Sequence, residues 1–276
     1  MEEMKQKQQK SQTGLDAAVV GLRRGDGQSL SYTDLQKQNE KLQKKVEILT
    51  DLLKKASIDE ATGMMNKKRY DSISTRKCYD AIESMKNGQN SNFFVIAIDV
   101  NGLKEVNDKF GHPAGDKFIA TVSSVISEVS SVISEDVRAT DYKFRMGGDE
   151  FLMIIDSSNI NKNINKKDVD RIVEKIKSDL AIKNITISVG VSSFSEVAKT
   201  YYDMFLHGFT ERDIASNTAE RMRELADARS YSEKGHFYNE RANNTTDAIQ
   251  KQIYNNKAKN DLKAAENMFE KLGVEN

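Results

Sequence analysis

The sequence predicts an α+β fold, and a hairpin, a buried strand and the helices around them carry that prediction. Tyr142, Phe144 and Met146 alternate before Gly147-Gly148, and Phe151 to Ile155 form an apolar run after it. This pattern reads as a β-hairpin with a two-residue glycine turn. Phe93-Phe-Val-Ile-Ala-Ile98 is a short, nearly continuous apolar run of the kind that forms a buried strand, and Asp99 ends it. Amphipathic stretches of helical period stand before, between and after these strands, an order that fits α+β.

The elements follow from the N-terminus. Residues 1–12 are rich in Lys, Gln and Glu and the segment through residue 30 has little periodicity, so an irregular or disordered start is expected. A coiled-coil helix is expected over 31–58. There Leu35, Leu42, Leu49 and Ala56 take d positions while Asn39, Val46 and Leu53 take a. Leucine at d with a β-branched or polar residue at a favours two parallel strands, with Asn39 fixing the register. The same pattern also suits an amphipathic helix packed on its own domain. A helix over 66–86, stopped at Gly88, carries Tyr70, Ile73, Cys78, Ile82 and Met85. After the strand over 93–99, residues 100–116 are dense in turn formers and contain the sole proline, Pro113, so they read as a strand-to-loop segment. A helix over 113–133, the hairpin over 140–156, a helix over 167–180 and a strand over 185–194 come next. Beyond Asn239 a further helical extension to residue 276 is expected, with Ile249, Ile253, Leu262, Ala265, Phe269 and Leu272 as its apolar stripe.

Composition excludes several classes of function. The 276 residues hold 42 basic and 42 acidic side chains, so no bulk field draws the chain to nucleic acid or to an anionic membrane. The longest apolar run, from Phe93 to Val100, falls far short of the ~20 residues a membrane-spanning helix needs, so no membrane insertion is expected. The single cysteine, Cys78, excludes a disulfide within one chain and reads as a buried thiol, which suits a cytoplasmic location. The three histidines, His112, His207 and His236, have no metal-ligand spacing.

The chemistry must therefore be local. Asp149 and Glu150 follow the glycine turn and offer the hard oxygen ligands that Mg²⁺ takes, while Gly147 and Gly148 let phosphates approach bare backbone. Neighbouring strand residues point to opposite faces, so only one of the two acids should face a metal squarely, and Asp149 is the choice. An exposed hairpin with a solvated acidic tip is the competing reading. Asp99 stands at the rim of a sheet, with Gly102 loosening the backbone beside it. Lys104 and nearby amides suit phosphate oxygens, and Asn107 and Asp116 suit either the edge of a nucleobase or a capping role.

Three motifs in order, Asp59-Glu-Ala-Thr-Gly-Met-Met-Asn66, Asp99 to Asp116, and Arg145-Met-Gly-Gly-Asp-Glu-Phe151, make residues 59–238 resemble the GGDEF diguanylate cyclases of bacteria. The resemblance implies a palm-like domain with a central, mainly antiparallel sheet flanked by helices, joining two GTP into cyclic di-GMP and two pyrophosphates as a homodimer. It implies two Mg²⁺ or Mn²⁺ ions per site, held by Asp99, the Val100 carbonyl, Asp149 and Glu150, with Asp149 also the base for the 3′-hydroxyl. Lys104 would stabilise charge on the transferring phosphoryl group. Asn107 and Asp116 would read guanine, His112 would lie beside the nucleotide, and Gly102, Leu103, Gly147, Gly148 and Lys234 would line it. Arg138-Ala-Thr-Asp141 matches the family's RxxD site, where cyclic di-GMP binds as inhibitor. The chain also departs from the pattern: Asn101 replaces a second aspartate, Ala61 and Met64 replace leucines, Gly235 comes early and Tyr238 stands where an arginine is expected. The segment 195–223 is longer than the family's usual connection. A second reading follows from these departures, a catalytically weak module that binds GTP or cyclic di-GMP and signals to a partner through its terminal helices.

Overall fold

The computed structural model describes residues 32–89, 91–129, 142–156, 164–198 and 201–274. The N-terminal segment and the pair Arg138 and Asp141 lie outside the described residues. The chain divides into two compact units, residues 1–56 and 57–276. In the first, α1 spans Tyr32–Lys55. Its Leu42, Val46, Leu49 and Leu53 side chains, drawn from the a and d positions, are 57–61% exposed. No helix among the described residues is long and apolar enough to cross a membrane.

The second unit is built on a five-stranded sheet. β1 (Met65–Asn66), β2 (Phe93–Val100), β3 (Tyr142–Gly147), β4 (Glu150–Asp156) and β5 (Ile187–Ser193) lie in the order β1-β3-β4-β2-β5. Only the short β1–β3 pair is parallel. The continuous apolar run of β2 has a simple cause, since every one of its residues is buried between layers on both faces. Period-two alternation then sorts the side chains. Phe93, Val95 and Ala97, with Phe144, Leu152 and Ile154, face a core that includes α2 (Lys67–Lys86), α8 (Glu211–Asn244) and α9 (Ala248–Leu272). Phe94, Ile96 and Ile98, with Phe151, Met153 and Ile155, face α4 (His112–Val129) and α5 (Lys166–Ala181). Cys78 is fully buried in the first core, and burial pushes its thiol pKa up.

Three expectations are corrected. Residues 103–110 form a helix, α3 (Leu103–Phe110), where a loop was expected. The turn formers punctuate that helix: Gly102 and Gly111 sit at its two ends with φ +83°, and Pro113 enters the first turn of α4, where its missing N–H costs nothing. The hairpin turn is Gly148-Asp149, because Gly147 pairs with Glu150 and a bulge between Arg145 and Gly147 takes up Met146. In the C-terminal stripe, Ile249 and Ile253 are exposed while Ala265, Phe269 and Leu272 are buried, and Tyr254 and Ala258 complete the inward face. The preceding helix runs on to Asn244, so this stripe belongs to an α8–α9 pair that packs on the sheet. The long segment after β5 contains two short helices, α6 (Phe194–Val197) and α7 (Tyr201–Leu206), before α8 begins.

Candidate functional site

The site forms where β2 ends. Asp99 lies opposite Glu150 of β4 and Ser188 of β5, and it is only 8% exposed. The Val100 N–H donates to the Asp149 carbonyl at 3.0 Å, which holds the acidic turn against the end of the central strand. The expected division of Asp149 and Glu150 onto opposite faces does not apply, because Asp149 sits in the turn and only Glu150 is a strand residue. Both carboxylates act on Asp99. Burial raises the Asp99 pKa to about 6; Lys234 opposes the rise, and the charges of Asp149 and Glu150 add to it.

Lys234 reaches Asp99 from α8, donating to its carboxylate at 2.6 Å with both side chains largely buried. Burial works against the ammonium charge, yet the Asp99 carboxylate holds the Lys234 pKa above the ordinary lysine value. Close helix packing brings Lys234 there: a Cβ on Gly190 of β5 would fall 1.9 Å from the Ala226 carbonyl of α8. A cation is thus already drawn to the strand end. Among the described residues no three His, Cys, Asp or Glu side chains form a ready-made metal cluster. The oxygen donors Asp99, the Val100 carbonyl, Asp149 and Glu150 nonetheless suit a hard divalent ion that keeps water and phosphate ligands, and the Lys234 ammonium sets a positive charge against Asp99.

The remaining predicted residues gather on α3 and α4. Gly102 is the left-handed residue before α3, Leu103 packs on the second core, and Lys104 is exposed. The Asn107 Oδ1 is buried without a hydrogen-bond partner, and it presses so closely on α4 that a Cβ on Gly115 would lie 1.9 Å away. Asp116, the next residue, is exposed, as is His112 at the start of α4. Gly147 and Gly148 are exposed at the turn. Asp99, Val100, Asp149, Glu150 and Lys234 therefore form one group, and Asn107 lies beside the neighbour of Asp116.

Arg145 has a role that the sequence did not suggest. Its guanidinium donates to the Gly148 carbonyl at 3.2 and 2.9 Å and to Asp59 at 3.1 Å, tying the turn to the first motif. Asp59 also accepts from the Thr62 N–H at 3.0 Å and hydroxyl at 2.7 Å. Burial would raise the Asp59 pKa, but the bonds from Thr62 and Arg145 hold it below the ordinary carboxylate range. Asp59→Ala should cost ~1–3 kcal/mol of stability near neutral pH. A depressed pKa in the folded state means this contribution is present above the unfolded pKa and lost as pH falls through the folded one. Thermal melts of parent and variant should therefore begin to converge as pH falls below about 4; a gap unchanged in acid would exclude the ionised carboxylate as its source.

Of two cavities, one borders the group. A small one of about 80 Å³ lies behind the turn, lined by Lys67, Asp99, Glu150, Asp227 and Tyr231 among others. Burial raises the Asp227 pKa to about 6 despite Arg223 at 3.3 Å. A larger one of about 530 Å³ includes Phe94, Ser193, Glu196 and Arg229, and none of the predicted site residues lines it.

Residues 56–208 match the family described as "Diguanylate cyclase, GGDEF domain". The chain belongs to this family. It is 28% identical over 144 residues to diguanylate cyclase DosC of Escherichia coli K12, an alignment covering 50% of this chain and 28% of DosC. It is 32% identical over 100 residues to diguanylate cyclase DgcS of Shewanella oneidensis, covering 36% of this chain and 30% of DgcS. The chain thus spans less than a third of either relative. Among solved structures, the coiled coil and GGDEF domain of DgcB from Caulobacter crescentus in complex with c-di-GMP is similar with a TM-score of 0.49 at 22% identity, over 72% of this chain and 92% of that one. The family match ends before α8, so Lys234 comes from a helix beyond the matched GGDEF residues. Asn101, in place of a second aspartate, is buried and accepts from the Ser188 hydroxyl at 3.1 Å.

Proposed function

We propose that this GGDEF chain is a diguanylate cyclase that condenses two GTP into cyclic di-GMP with release of two pyrophosphates, working as a homodimer in the cytoplasm. The observation that carries the reading is Asp99, buried at the end of the central strand, facing an acidic turn and already paired with a cation. The names of the matched relatives agree with it. Two Mg²⁺ or Mn²⁺ ions would be held by Asp99, the Val100 carbonyl, Asp149 and Glu150, and would supply acidification of the 3′-hydroxyl and neutralisation of the α-phosphate. Asp149 takes the proton of the attacking 3′-hydroxyl. The new bond joins that oxygen to the α-phosphorus of the partner's GTP, the bond to pyrophosphate breaks, and the same step on the other side closes the ring. Lys104 balances charge on the transferring phosphoryl group. The buried, unpartnered Asn107 oxygen supports a guanine contact, with Asp116 as its companion and His112 at the nucleotide's flank. The backbones of Gly102, Leu103, Gly147 and Gly148 receive phosphates, and Lys234 exchanges Asp99 for the triphosphate.

Purified protein incubated with GTP and Mg²⁺ should yield cyclic di-GMP by mass, and ATP should be a poor substitute because the site's polar groups would be left unpaired. Binding of GTP with no product favours the second reading, a sensor module, which rests on Tyr238 in the expected arginine position. Equal rates with ATP and GTP would remove the guanine assignment. We also propose that Arg138 and Asp141 bind product as an inhibitory site, and that the terminal helices contact a signalling partner. Arg138→Ala should then relieve the slowing of progress curves by added cyclic di-GMP while leaving the initial rate unchanged. Linear progress in the parent as product accumulates would leave the pair a surface ion pair worth ~0–1 kcal/mol.

A further inference from the structure

A further ammonium near these residues comes from α9. Lys257 donates to Glu105 at 2.5 Å, which joins the C-terminal helix to the first turn of α3, beside Lys104 and the Gly102-Leu103 backbone. Its Nζ lies 4.7 Å from the ring centroid of Tyr238, the residue in the expected arginine position. Asp261, one turn along α9, feels the charges of both Lys234 and Lys257. Asp99, Lys234, Asp261, Lys257 and Glu105 thus alternate in charge, as two ion pairs with Asp261 acting on both ammonium groups. The Glu105 Oε2 is buried without a partner from another residue, so Lys257 is held through one oxygen only.

We propose that Lys257 is a contact for the β- and γ-phosphates of the bound nucleotide, supplied by α9. The inference rests on the GTP reading above. Its physical basis is exchange: a triphosphate carries more charge than a single carboxylate, so Lys257 leaves Glu105 for the phosphates as Lys234 leaves Asp99. A lysine on a flexible stem with three donors suits that movement. The Tyr238 ring keeps the ammonium at the site through its π-face.

Equilibrium binding to the full chain with Mg²⁺ tests it, using 3′-deoxy-GTP, which lacks the attacking hydroxyl, and GMP, which lacks the outer phosphates. Lys257→Ala should weaken 3′-deoxy-GTP about tenfold and leave GMP unchanged, and Lys257→Arg should restore binding. Glu105→Gln, which releases Lys257, should bind 3′-deoxy-GTP at least as well as the parent. A purely structural ion pair predicts instead that Glu105→Gln and Lys257→Ala weaken binding alike, and that result overturns the inference. So does a Lys257→Ala variant that prefers 3′-deoxy-GTP to GMP by the same factor as the parent. A parent that binds neither nucleotide overturns the cyclase reading itself, and the inference with it.

Discussion

Asp99→Asn and Asp149→Asn should each lower the rate of cyclic di-GMP formation by at least about 100-fold while the domain stays folded. The two variants test different atoms of one arrangement. Asp149 lies in the turn, and the turn is fixed by its carbonyl on the Val100 N–H, a bond that an amide side chain leaves intact. Its stability should therefore not change. For Asp99→Asn two effects oppose each other. Removing a buried carboxylate whose pKa is raised to about 6 relieves a desolvated charge. It also leaves the Lys234 ammonium with a neutral acceptor in a largely buried place. Each effect is on the order of ~1–3 kcal/mol, so the melting temperature should move little even as turnover is lost. Initial rates with GTP and Mg²⁺, paired with thermal melts, separate the outcomes. Turnover unchanged in both variants would remove these carboxylates from the chemistry, and loss of turnover together with collapse of the fold would show that they were structural.

What was legible in the sequence was local. β2 was readable because burial on both faces writes an unbroken apolar run, and the β3–β4 hairpin because alternation and glycines are neighbours in the chain. The turn register was not, since the bulge at Met146 is set by pairing across the sheet and no nearby residue announces it. α3 was hidden for a related reason: Gly102, Gly111 and Pro113 read as a loop when taken together, although each marks a helix boundary. The acids of the site could be named, but the contacts that arrange them join residues far apart in the chain. Lys234 meets Asp99 across 135 positions and Arg145 meets Asp59 across 86. Motif order placed these residues in one domain, and only packing of α8 against β5 shows that one lysine caps the buried carboxylate. Ile249 and Ile253 misled in the opposite direction, because apolar spacing names a face without saying where along the helix the partner ends.

Deleting residues 1–56 should make activity strongly dependent on protein concentration. In the proposed cyclase each GGDEF domain would supply one nucleotide and neither would close the ring alone, so turnover would require two domains to meet. The deletion removes α1 and leaves residues 57–276, a separate compact unit, with its sheet and site intact. On a single chain α1 presents Leu42, Val46, Leu49 and Leu53 to solvent at 57–61% exposure. A helix with such exposed apolar side chains gains by burying them against a second copy, at ~25 cal/mol per Å² of apolar surface. Below the dissociation constant of the shortened chain, its specific activity should fall about tenfold or more against the parent, and the gap should close at high concentration. Asn39→Leu should act in the reverse sense, tightening association while relaxing register or oligomer number, because a single polar a position specifies both. Sedimentation velocity on the parent, the deletion and Asn39→Leu, with rates across a dilution series, makes the test. If the shortened chain is as dimeric and as active as the parent at every dilution, pairing comes from elsewhere and α1 is a helix that packs for its own domain.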